Sequence, residues 1–61
     1  MELQRLLYLL SLNKSINVKV NYVGHGKMSL EIQEPYTFDT IVEETFDLNK
    51  EIDPTKFLKY L

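Results

Sequence analysis

Sixty-one residues without a cysteine make one domain that no disulfide or thiolate metal site can staple. A chain this short buries only about 60% of its unfolded surface, so its stability rests on a compact core or on a partner subunit. With 44% hydrophobic and 26% charged residues it has a globular composition, which argues against intrinsic disorder.

The net charge of −2 conceals an uneven distribution. Residues 1–30 carry Arg5, Lys14, Lys19 and Lys27 against Glu2, a net of +3. Residues 31–53 carry Glu31, Glu34, Asp39, Glu43, Glu44, Asp47, Glu51 and Asp53 against Lys50, a net of −7. Lys56 and Lys59 follow. The acidic middle is the most unusual feature of the chain. The apolar run Leu6–Leu10 is too short for a membrane span, which needs roughly 20 residues. Glu2 and the lack of a small-residue cleavage site argue against a signal peptide. A cytoplasmic protein with no membrane partner is the expectation.

Residues 2–12 predict a helix, because Leu3, Leu6, Leu7 and Leu10 recur at the spacing of one buried face. Asn13 is placed to end it through a left-handed conformation. Leu9 and Leu12 widen the apolar face beyond what a two-stranded hairpin covers. A homodimer through this helix is therefore an expectation beside simple core packing. A membrane-surface helix wants a cationic polar face, and here only Arg5 stands against Glu2.

Residues 16–23 and 27–33 alternate apolar and polar, the pattern of two half-buried strands. Ile16, Val18, Val20 and Tyr22 fall on one side of the first, and Met28, Leu30 and Ile32 on one side of the second. Between them lies Gly24-His25-Gly26. A two-residue loop Gly24-His25 would pair Tyr22 with Lys27 and put the apolar faces out of step. A three-residue loop pairs Tyr22 with Met28, Val20 with Leu30, Val18 with Ile32 and Lys19 with Glu31, with Gly26 in the left-handed region.

Residues 36–48 fit two readings. Phe38, Ile41, Val42, Thr45 and Phe46 follow a helical stripe, and Thr40 with Glu43 forms a capping-box pattern. The Thr, Ile, Val and Phe content and the shared parity of Tyr36, Phe38, Val42, Phe46 and Leu48 favour a third strand. The balance falls on the helix, with the strand as the alternative. In residues 54–61, Asp53 as N-cap and Pro54 at the first position predict a short helix. Phe57, Leu58 and either Leu61 or Tyr60 are expected to dock on the sheet. The fold class is thus α+β: a hairpin with a helix at each end and a third strand or middle helix.

Few constellations carry chemistry. His25 is the only histidine and has no cysteine or near carboxylate to complete a metal site. GHGK leads into a strand, whereas a phosphate loop needs a longer spacing and a following helix. Asp47, Asn49, Glu51 and Asp53 have calcium-loop spacing, but the required Gly is missing and Pro54 intrudes. Glu43 and Glu44 are adjacent, so they face apart on a strand and do not meet on a helix. No catalytic residue, cofactor or metal is therefore expected. The leading reading is a protein-binding module, a regulator or inhibitor, that meets a basic partner through Glu31, Glu34, Asp39, Glu43, Glu44 and Asp47. By size and charge alone this compares with phage-type accessory proteins that imitate DNA. The alternative is nucleic-acid binding through the lysine-bearing outer face of the hairpin. It ranks lower, because Arg5, Lys14, Lys19 and Lys27 are few cations for phosphate neutralisation.

Overall fold

The alternating segments form the hairpin on which the rest is built. The computed structural model describes all 61 residues. In chain order they form helix α1 (Leu3–Ser11), strands β1 (Asn17–Gly24), β2 (Lys27–Gln33) and β3 (Thr40–Asp47), and a C-terminal 3-10 helix (Thr55–Tyr60). The strands make one antiparallel sheet in the order β1-β2-β3. The architecture is the α+β domain expected.

The β1–β2 register pairs Tyr22 with Met28, Val20 with Leu30, Val18 with Ile32 and Lys19 with Glu31, as the alternation requires. The turn reaches this register by a different route. Gly24 pairs with Lys27, so the loop is only His25-Gly26, and an irregularity between Tyr22 and Gly24 restores the parity. His25 and Gly26 have φ of 55° and 71°, the left-handed sign that a tight two-residue hairpin demands at both central positions. The extra residue at Val23 is a bulge, which takes the place of a third loop residue.

Residues 40–47 are the strand alternative, not the helix. Val42 faces Ile32 and Phe46 faces Met28, so the even-numbered apolar residues join the core face of β2. Ile41, which interrupts the strand parity in the sequence, falls where the register slips between Ile32 and Gln33. A bulge there absorbs the misfit. Thr40 is therefore no capping residue; its hydroxyl donates to Glu31 at 2.6 Å. Local helical spacing loses to the pairing that β2 gains on its second edge.

The core is Leu6, Leu10, Met28, Leu30, Ile32, Phe46, Ile52 and Phe57, with Leu3, Leu7, Ile16, Val18, Val42 and Tyr60 packed around it. The 3-10 geometry changes which C-terminal residues dock. With three residues per turn, Phe57 and Tyr60 lie on one face. Phe57 is fully buried and its ring stands 5.9 Å from that of Phe46. Leu58 is exposed, contrary to the docking expected of it, and of Leu61 and Tyr60 it is Tyr60 that packs on the core. Pro54, not Asp53, is the N-cap, so the helix starts one residue later than expected; the Asp53 carboxylate, one residue outside it, accepts the Thr55 N–H at 3.1 Å.

α1 ends with Leu12 as C-cap in a right-handed conformation, and Asn13, expected to end it through a left-handed backbone, has no positive φ. Its Nδ2 donates to the Tyr60 carbonyl at 2.9 Å and its Oδ1 accepts the Ser15 N–H at 2.9 Å. One amide thus ties the end of α1 to the end of the chain.

Candidate functional site

The sheet has a core face and an outer face, and strand parity distributes the carboxylates between them. Glu31 and Glu43 are direct register partners across β2 and β3, on the outer face. Like charges in that position repel. Glu31 has compensation from the other side, since Lys19 Nζ lies 3.9 Å from its Oε2 and Thr40 donates to its Oε1. Its side chain is only 14% exposed. Glu43 is exposed, and its side chain takes part in no hydrogen bond or ion pair.

The loop 34–39 leaves the same end of the sheet. Glu34 accepts from the Tyr36 N–H at 2.9 Å, the Thr37 N–H at 2.7 Å and the Thr37 hydroxyl at 3.0 Å. The Thr37 amide, joined by the Thr37 hydroxyl and the Tyr36 amide, holds the Glu34 carboxyl below the usual glutamate range against a desolvation effect that raises it. Backbone bonds Phe38 N–H to Glu34 C=O at 2.8 Å and Glu34 N–H to Asp39 C=O at 2.9 Å close the loop. The Asp39 carboxylate accepts from Thr37 Oγ1 at 3.0 Å. Phe38 has φ of 61°, an uncommon state for a bulky residue. The stapled loop leaves Tyr36 and Phe38 exposed, Tyr36 at 89%.

Two of the six predicted residues, Glu31 and Glu43, meet on the outer face, and the loop that joins β2 to β3 at that end of the sheet carries two more, Glu34 and Asp39. Asp47 lies on the outer face at the other end, opposite Lys27, and its carboxylate accepts the Asn49 N–H at 2.9 Å. Glu44 does not join them. It pairs with Leu30 on the core face, and its Oε2 is shielded from water without a hydrogen-bond partner. An unsatisfied buried oxygen costs about 1–3 kcal/mol. Glu44→Leu, which removes it and extends the apolar row, is expected to raise unfolding stability in urea by about 1 kcal/mol.

Tyr36 and Phe38 were missed as surface groups because both fit an apolar stripe in the sequence. The sequence signal for their exposure is the turn-rich stretch Glu34-Pro35 with Thr37 and Asp39. His25 is exposed on the hairpin turn. No three His, Asp or Glu side chains converge as a metal cluster. The larger surface cleft, about 410 Å³, lies elsewhere, between Leu3 and the Leu48–Ile52 segment. No helix is long and apolar enough to cross a membrane. No protein-family model, curated protein or solved structure matches the chain.

Proposed function

We propose that the protein is a non-catalytic binding module, a regulator or inhibitor, that meets a basic surface of a protein partner. The contact is Glu31 and Glu43 of the outer face together with Glu34 and Asp39 of the adjoining 34–39 loop, with Tyr36 and Phe38 as apolar anchors. The observation that supports it best is the Glu31–Glu43 pair, two carboxylates set directly opposite across β2 and β3, with one lysine, Lys19 of β1, beside Glu31 and none beside Glu43. A cation from a partner, seated at Glu43, relieves that repulsion. Aromatic side chains beside it add contact area at low entropy cost, as in many interface centres.

The lysines of the hairpin support the nucleic-acid alternative less well. Lys19 stands opposite Glu31 and Lys27 opposite Asp47, so the outer face is mixed rather than basic.

The test is an NMR titration with a short arginine-rich peptide, followed by the same peptide on a Glu31→Gln, Glu43→Gln variant. Shift changes are expected at Glu31, Glu43 and residues 34–39. The variant is expected to bind about 10-fold more weakly, with a flatter salt dependence and an unchanged fold. Equal affinity and equal salt slope in the variant would mean that these carboxylates serve solubility alone.

A further inference from the structure

We infer that β1 is the joining edge of a homodimer, in which two copies pair β1 with β1 antiparallel about a two-fold axis at Asn21. The sheet order leaves the outer side of β1 without a strand, over eight residues that contain no proline. Natural sheets protect such edges with charges, prolines or bulges. The other edge, β3, has that protection: Glu43, Glu44 and Asp47, and the register slip near Ile41. β1 carries one charged residue, Lys19, already beside Glu31, and its bulge lies only at the turn end.

The core face of β1 is also unfinished. Val20 and Tyr22 share a face with the buried Leu30 and Met28 that they pair with, yet they are 41% and 76% exposed. Nothing in the chain covers them. A second copy does so by its own symmetry. With the axis at Asn21, Val20 of each copy stands opposite Tyr22 of the other, a pairing of β-branched with aromatic side chains. Residues of equal parity meet, so both core faces stay on one side of the joined sheet. The two Lys19 side chains are kept apart, each opposite Val23 of the other copy.

Charge selects this edge over the alternatives. Joining β3 to β3 brings two sets of carboxylates together. Joining β1 to β1 sends both β3 strands to the far edges, where each acidic site stays open. The contact is isologous, so it closes at two copies. It is a small contact of the kind that weak, reversible dimers use.

Sedimentation equilibrium between roughly 1 and 500 µM tests it. The mass is expected to rise from 7.2 kDa to twice that value. The double variant Val20→Lys, Tyr22→Lys is expected to keep its circular dichroism and to weaken association by about 100-fold or more, because lysines then oppose each other at the edge. Tyr8→Lys with Leu12→Lys, at exposed positions on α1 and its C-cap, is expected to leave association unchanged. In the unaltered protein, β1 amides are expected to exchange more slowly as concentration rises. A monomer at every concentration overturns the inference. So does association lost only in the α1 variant, growth past the dimer into filaments by β1 joining β3, or β1 exchange that ignores concentration.

Discussion

Phe57→Ala is expected to leave the chain largely unfolded at room temperature. Phe57 is fully buried in a 3-10 helix of only six residues, and it is that segment's one buried side chain. Its ring meets Phe46 at 5.9 Å with the planes inclined by 47°, a tilted aromatic pair that adds to area burial. Truncating a buried phenylalanine costs about 3–5 kcal/mol, from lost apolar burial and the cavity left behind. A core in a chain of this size rarely supplies more than about 5 kcal/mol. Loss of this one ring therefore consumes most of the margin. The C-terminal segment then has little to hold it on the sheet, since its remaining contacts are Tyr60 and the Asn13 bond to the Tyr60 carbonyl. Far-UV circular dichroism and urea denaturation measure the loss. Leu58→Ala is the control: Leu58 is 52% exposed, so its change is expected to stay within about 0.5 kcal/mol. An α-helical docking face would make both residues count. Comparable losses in the two variants would contradict the 3-10 face.

The hairpin was legible because two alternating strands of matched parity leave few registers, and a wrong one exposes a whole apolar face. What was not legible is how the chain corrects parity at the turn. A three-residue loop and a two-residue loop with a bulge place the same side chains opposite each other. β3 was ambiguous for a reason of the same kind. Ile41 spoils the alternation, and only a bulge reconciles it with a strand. Bulges arise from backbone pairing and leave a weak mark in a single sequence. The C-terminal helix was legible from its Asp53-Pro54 start, but the exposure of Leu58 was not, because the helical type, a difference of one hydrogen-bond step, decides whether Leu58 turns inward beside Phe57.

The acidic site was legible as composition and not as geometry. The excess of carboxylates in residues 31–53 is plain from the sequence, but which of them meet depends on the β2–β3 register. That register opposes Glu43 to Glu31 and turns Glu44 toward the core. The strand alternative already required the two neighbours to point apart; the helical reading hid the consequence. Tyr36 and Phe38 show the converse case. Their apolar character suggested burial, whereas the hydrogen bonds of Glu34 hold their loop away from the core.

Gly26→Val is expected to cost about 2 kcal/mol, the largest effect of any change on the exposed surface. Gly26 has φ of 71°, where a Cβ meets the neighbouring carbonyl, and a β-branched residue suffers most. There is a second obstacle. A Cβ built here lies 3.1 Å from Asn49 Nδ2. That atom ends a flexible side chain and can shift, so backbone strain accounts for most of the cost. The turn also matters beyond its own hairpin. The Gly26 carbonyl accepts the Leu48 N–H at 2.8 Å, which links the β1–β2 turn to the chain just past β3. Distortion at Gly26 therefore loosens the exit of β3 as well. Gly26→Ala separates the Cβ from the branching, and about 1 kcal/mol is expected from the left-handed backbone alone. His25 supplies the comparison. It has φ of 55° as a non-glycine residue, so it already bears such strain, and His25→Gly is expected to be neutral or stabilising by a few tenths of a kcal/mol. Urea titration of the four proteins, unaltered, Gly26→Val, Gly26→Ala and His25→Gly, gives the order directly. If Gly26→Val unfolds at the same urea concentration as the unaltered protein, the turn does not require a left-handed residue at position 26. If His25→Gly is destabilising by about 1 kcal/mol or more, the imidazole has a role that a solvent-exposed turn residue does not have.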